Sequence, residues 1–152
     1  MKVKDLMSTD VRMCAPETTV AEAAHLMWEG DCGMLPVVDD GEVVGVVTDR
    51  DVCIALATQH AQASHEPVVA VATKNVVTCA PEDDIKAALA SMTQARVRRL
   101  PVVGLGRALV GVVSINDIVG AIEPDGGTLE DRVIETLQAI YGHRHATPHI
   151  IA

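Results

Sequence analysis

Short apolar runs alternate with polar turns along the first sixty residues, and the same alternation then starts again. Val11 to Cys14 reads as a short strand, ended by Pro16. Thr19-Val20-Ala21-Glu22 has capping-box spacing, in which hydroxyl and carboxylate each satisfy a free backbone N–H. Behind it, Val20, Ala23, Ala24 and Met27 fall on one helical face, and Gly30 ends the helix. Two apolar runs, Leu35-Pro36-Val37-Val38 and Val44-Gly45-Val46-Val47, flank Asp39-Asp40-Gly41-Glu42, a hairpin signature. After Thr48 a second helix runs to about Ala57.

This pattern is duplicated. Cys14-Ala15-Pro16-Glu17 returns as Cys79-Ala80-Pro81-Glu82, and Leu35-Pro36-Val37-Val38 as Leu100-Pro101-Val102-Val103, both at an offset of 65. Met27 and Met92 share that offset, and Asp84 opens a helix with Ile85, Ala88, Leu89 and Met92 on its inner face. From Val44-Gly45-Val46-Val47 to Val110-Gly111-Val112-Val113 the offset is 66, so one residue has entered the turn Gly104-Leu105-Gly106-Arg107-Ala108. Turns tolerate such a change in length. Each copy reads strand, helix, strand, strand, helix, the second ending near Ile122. The fold class is therefore mixed α/β (α+β): two βαββα repeats and a C-terminal helix. A unit of this size buries too little surface to be secure alone. The two are expected to pack sheet to sheet about a pseudo-twofold axis, with two related clefts between them. The divisions are 1–58 for the first repeat, 59–75 for a linker and entry, 76–123 for the second repeat, and 124–152 for the helix and tail.

Composition narrows the chemistry. Hydrophobic residues make up 49%, but Trp28 and Tyr141 are the only aromatics, so Val, Ala, Leu, Ile and Met must build the core. The net charge of −9 opposes nucleic acid and anionic membranes over the surface as a whole. The charged start, Met1-Lys2-Val3-Lys4-Asp5, and the lack of an apolar stretch of about 18 residues favour a cytoplasmic protein without a membrane span. Cys14, Cys32, Cys53 and Cys79 form no C-x-x-C pair and are expected as reduced thiols.

The best-marked positions are Thr48-Asp49-Arg50-Asp51 and Ser114-Ile115-Asn116-Asp117, where the third strand of each copy meets its second helix. One reading is helix capping by hydroxyl and carboxylate. The other is a ligand site: a carboxylate on the first turn can accept both hydroxyls of a ribose, beside N–H groups suited to phosphate. The two readings are compatible.

The ordered blocks Pro-Glu, helix, Leu-Pro-Val-Val, Val-Gly-Val-Val and Thr/Ser-x-x-Asp, present twice over about residues 3–122, resemble a cystathionine-β-synthase (CBS) domain pair, or Bateman module. The resemblance implies a cytosolic sensor that binds an adenosyl ligand between the repeats (AMP, ADP or ATP, with NAD or S-adenosylmethionine as further choices) and forms a homodimer through its helices. It implies a main cleft of Asp117, Ser114, Asn116, Arg98, Arg99, Thr9, Val11, Gly33 and Met34. The second would hold Asp51, Thr48, Arg50, Lys74 and Val76. Aspartate takes the ribose, and Arg98 and Arg99 are assigned to phosphate beside the aspartate of their own repeat, where the guanidinium fork pairs with two oxygens.

No P-loop, G-x-G-x-x-G, H-E-x-x-H or G-x-S-x-G is present. The chain is expected to be no enzyme, with no catalytic residues, no catalytic cofactor and no metal site, and to use an adenine nucleotide as regulatory ligand. The competing readings are a dimeric interaction scaffold and a metal- or redox-responsive variant. The latter would draw on Cys14 and Cys79, or on His143, His145 and His149 of the tail. Thr128-Leu129-Glu130-Asp131 has capping spacing, and Leu129, Val133, Leu137 and Ile140 give the following helix an apolar stripe. That stripe must dock on its own module, on a dimer partner or on an effector protein.

Overall fold

The computed structural model describes residues 1–60, 62–122 and 127–142. Helix α1 (Val20–Glu29) starts at the expected box: the Thr19 hydroxyl accepts from the Glu22 N–H, and the Glu22 carboxylate accepts from the Thr19 N–H at 2.8 Å. Strands β1 (Met34–Asp39) and β2 (Glu42–Thr48) form an antiparallel hairpin. Its turn puts Asp40 and Gly41 at positive φ, the conformation that the two-residue hairpin requires. Helix α2 (Asp49–Thr58) follows directly. The second copy repeats this order as α3 (Ile85–Ala95), β3 (Arg99–Val103), β4 (Leu109–Ser114) and α4 (Ile115–Gly120). Its extra residue is absorbed by a 3-10 turn, Leu105–Arg107, with Gly106 at positive φ. Both hairpins carry a bulge at the same place, between Val37 and Val38 and between Val102 and Val103.

Val11 to Cys14, expected as a strand, does not form one, nor does its counterpart in the second copy. Cys14 makes one parallel bridge to Val37, and Cys79 one to Val102. The cause lies upstream, where each entry segment crosses to the other repeat. Ser8 exchanges two backbone hydrogen bonds with Val112 of β4, at 2.9 and 3.0 Å. Thr73 does the same with Val46 of β2. Five residues then separate a partner in one sheet from a partner in the other, too few for a ladder with either.

The exchange reaches the cores. One cluster centres on Ile85, Leu89, Met92, Leu100 and Ile118 of the second repeat, and it includes Val3 from the chain's start. The other centres on Val20, Met27, Leu35 and Val47 of the first repeat, and it includes Val68 from the segment between repeats. The single 3-10 turns that deliver them, Val3–Asp5 and Val68–Ala70, are themselves repeat equivalents. Ala24, expected on the inner face of α1, is exposed, and Leu26 packs against the core instead.

Helix α5 (Thr128–Tyr141) docks on α3 of its own chain. Val133 and Thr136 are buried there, and the Thr93 and Thr136 hydroxyls are 2.9 Å apart. Gly127 is the N-cap, so Thr128 is the first helical residue rather than the cap its spacing suggested. The Thr128 hydroxyl instead accepts from the Lys86 ammonium.

Candidate functional site

At both strand-to-helix junctions the capping geometry is complete. Oδ2 of Asp51 accepts from the Thr48 N–H at 2.9 Å and from its hydroxyl at 2.8 Å, and the hydroxyl accepts from the Asp51 N–H at 3.2 Å. Ser114 and Asp117 repeat this at 2.8, 2.7 and 3.3 Å. Capping therefore occupies Oδ2 of each carboxylate. Oδ1 of each makes no hydrogen bond with the described residues. Both aspartates are half-buried and line cavities between the repeats. Capping thus leaves the second oxygen of each side chain uncommitted among the described residues.

Register explains what stands opposite. Met34 pairs with Thr48 and Arg99 with Ser114, so the residue before each Leu-Pro lies across the hairpin from its own repeat's hydroxyl. The helix-to-strand loop just before it faces the other repeat's aspartate. The Asp117 cavity, about 250 Å³, is walled by Asp10, Val11 and Arg12 of the entry segment and by Gly30, Asp31, Cys32 and Met34, with Ser114 and Arg99. The Asp51 cavity, about 560 Å³, is walled by Thr48, Asp49, Arg50, Thr73, Asn75 and Val76 and by Ala95 to Arg99, with Gly33 and Met34.

The expected main cleft is therefore divided. Asp117, Ser114, Arg99, Val11 and Met34 line one cavity. Arg98, Arg99, Ser114 and Asn116 line a smaller one beside it, about 170 Å³. Arg98 and Gly33 also open on the Asp51 cavity, and Thr9 is exposed and outside all of these walls. Of the expected second cleft, Asp51, Thr48, Arg50 and Val76 share one cavity, whereas Lys74 is exposed and off its wall. Arg96, clustered in the sequence with Arg98 and Arg99, lies in this cleft, and Asp31, its equivalent in the first repeat, lies in the other. Sequence reasoning missed Asp10 and Arg12.

The electrostatic consequence is a marked asymmetry. The Asp51 cavity has four arginines (Arg50, Arg96, Arg98 and Arg99) against Asp49 and Asp51. The Asp117 cavity has Arg12 and Arg99 against Asp10, Asp31 and Asp117. In a chain of net charge −9, the first is a local basic pocket.

Other candidate chemistry does not assemble. Cys14 and Cys79 sit in different core clusters as free thiols, each pushed up to about 11 by burial. Among the described residues, no three His, Cys, Asp or Glu side chains come together to hold a metal ion. His143, His145 and His149 lie outside the described residues. No helix among the described residues is long and apolar enough to cross a membrane.

Two related halves with exchanged entry segments, and an aspartate at each helix start facing the cleft between them, define a tandem α/β module. The CBS domain model matches residues 3–58 and 68–124, and the chain belongs to the CBS domain family. It is 36% identical over 116 residues to the CBS domain-containing protein YhcV of Bacillus subtilis (strain 168), covering 76% of this chain and 81% of that protein. Among solved structures it is similar to the CBS-domain containing protein ATU1752 from Agrobacterium tumefaciens (37% identity, TM-score 0.72, 80% of this chain and 98% of that one). It is also similar to the CBS domain pair of protein MJ0100 in complex with 5′-methylthioadenosine and S-adenosyl-L-methionine (27% identity, TM-score 0.72, 79% and 94%).

Proposed function

We propose that this protein is a regulatory sensor that binds a phosphorylated adenosyl ligand in the Asp51 cleft. The observation that carries the reading is the crossing of the α3–β3 segment to the first repeat's aspartate, which sets Arg96, Arg98 and Arg99 around that cleft. Oδ1 of Asp51 is available for ribose hydroxyls, and the arginines suit phosphate. The volume of about 560 Å³ falls within the range of small-molecule sites, whereas about 250 Å³ at Asp117 falls below it. The Asp117 cleft, poorer in positive charge, suits a smaller or cationic adenosyl compound. The similarity to a CBS pair in complex with two adenosyl compounds supports the ligand class.

The same reading includes a homodimer and a cytoplasmic setting. Ile54 and Leu56 on α2, Val119 on α4 and Trp28 on α1 are exposed, which suits a helix-to-helix contact with a second copy. Four free cysteines suit a reducing compartment. The scaffold alternative loses its motivating contact, because the stripe of α5 is spent on α3.

Calorimetry with AMP, ADP, ATP, NAD and S-adenosylmethionine on the purified chain tests the proposal. Binding of a phosphorylated adenosyl ligand, weakened about tenfold or more in Asp51→Asn and little changed in Asp117→Asn, is the expected result. A thermal midpoint indifferent to millimolar concentrations of all five would overturn the sensor reading in favour of a ligand-free scaffold. Binding lost only in Asp117→Asn would transfer the site to the other cleft.

A further inference from the structure

The last turn of α5 supplies a wall of the cleft that the duplicated repeats do not. Ile140 and Tyr141 line the Asp51 cavity, and Tyr141 also lines the small cavity of Arg98, Arg99, Ser114 and Asn116. Arg98 and Arg99 are thus common to both spaces that Tyr141 borders. The rest of the helix is anchored away from the cleft by buried Val133 and by the Thr93–Thr136 contact. Tyr141 itself is 61% exposed, so its side chain borders the cleft without being consumed by the core. The repeats contain no tyrosine, and among the described residues Tyr141 is the one hydroxyl-bearing side chain of α5 that lines either cavity.

We propose that Tyr141 closes the phosphate side of the Asp51 cleft, its hydroxyl donating to a ligand phosphate, so that the end of α5 is held more firmly when the cleft is filled. This rests on the nucleotide reading above and adds a ligand contact and a responsive element to it. The physical basis is linkage. A ligand that gains a hydrogen bond only when the last turn is in place must favour the docked helix by the same factor. Filling the cleft would then be reported at the C-terminal end of the described chain, more than twenty residues beyond the second repeat's aspartate in sequence.

The test is titration calorimetry of the full chain with ATP and with adenosine, for the parent protein, Tyr141→Phe and Tyr141→Ala, together with amide exchange across residues 128–142. ATP affinity is expected to fall about tenfold in both variants, because a hydrogen bond to a charged acceptor is lost in each, while adenosine affinity is unchanged. ATP should slow amide exchange in the last turn of α5 in the parent and not in Tyr141→Phe. Equal ATP affinity in all three proteins, or exchange that ATP leaves untouched in the parent, would overturn the proposal. So would an equal loss of adenosine affinity. If ATP binding depends on Asp51 but not on Tyr141, the sensor reading stands and only this inference falls. If the parent binds no nucleotide, both fall together.

Discussion

Gly45 and Gly111 occupy the same position in the two Val-Gly-Val-Val runs, in the middle of a strand where glycine costs stability. The structure supplies the reason. A Cβ on Gly111 would lie 2.8 Å from the Ser8 carbonyl oxygen, and one on Gly45 would lie 3.2 Å from the Thr73 carbonyl oxygen. These are the backbones of the exchanged entry segments, so glycine is what lets them pair. Gly111→Ala is expected to destabilise the chain by about 1–3 kcal/mol, and Gly45→Ala by less, measured by urea unfolding. The cysteines differ as sharply. With Cys14 and Cys79 pushed up to about 11 by burial, almost none of either is thiolate near neutral pH, whereas Cys53 is exposed. Iodoacetamide at pH 8 should label Cys53 in the native protein while sparing Cys14 and Cys79, and mass spectrometry of the labelled peptides reads the difference. Rapid native labelling of Cys14 would contradict the packing described for it.

At the scale of elements, the N-terminal 3-10 turn is tied to the second repeat by charge as well as by Val3. Glu82 bridges the ammonium groups of Lys2 and Lys4. Hydrogen bonds from Lys2 and then Lys4 hold the Glu82 carboxyl down at about 2. A carboxyl depressed on folding adds stability above its unfolded value, about 4.3, and loses it as pH falls toward the folded value. The thermal midpoint should therefore decline between about pH 4.5 and pH 2, and part of that decline should vanish in Glu82→Gln. Because the pair is exposed, the difference between parent and variant should also shrink in high salt. Helix α5 shows a different dependence. Its apolar stripe was plain in the sequence, but the choice among self, partner and effector rested on whether α3 offered a matching face, and Val133 and Thr136 found one.

The whole molecule is held together by reciprocal exchange. Val3 belongs to the first repeat by sequence and to the second repeat's core by packing, and Val68 does the converse. Val3→Ala and Val68→Ala should each cost about 2 kcal/mol, although neither lies in a regular strand or α-helix. Urea unfolding of each variant should remain a single transition, because each core contains a piece of the other repeat. Two separate transitions would show that the halves fold independently. The same crossing sets the charge of the clefts: it carries Arg96 and Arg98 to Asp51, and Asp31 to Asp117.

The sequence by itself determined the duplication, the order of the helices and hairpins, the three capping boxes of α1, α2 and α4, and the aspartates at the helix starts. Each of these depends on spacing within a few residues, which local hydrogen bonding and hydrophobic period make visible. The family resemblance set Val11 beside Asp117 and Val76 beside Asp51, but spacing along the chain did not itself determine which repeat receives an entry segment or a helix-to-strand loop. The two halves present the same pattern of strand edges, so pairing within a repeat and pairing across the axis satisfy that pattern equally. Only packing both cores at once decided for exchange, with glycine at positions 45 and 111 making room for it. That decision placed the arginines of the second repeat beside the aspartate of the first.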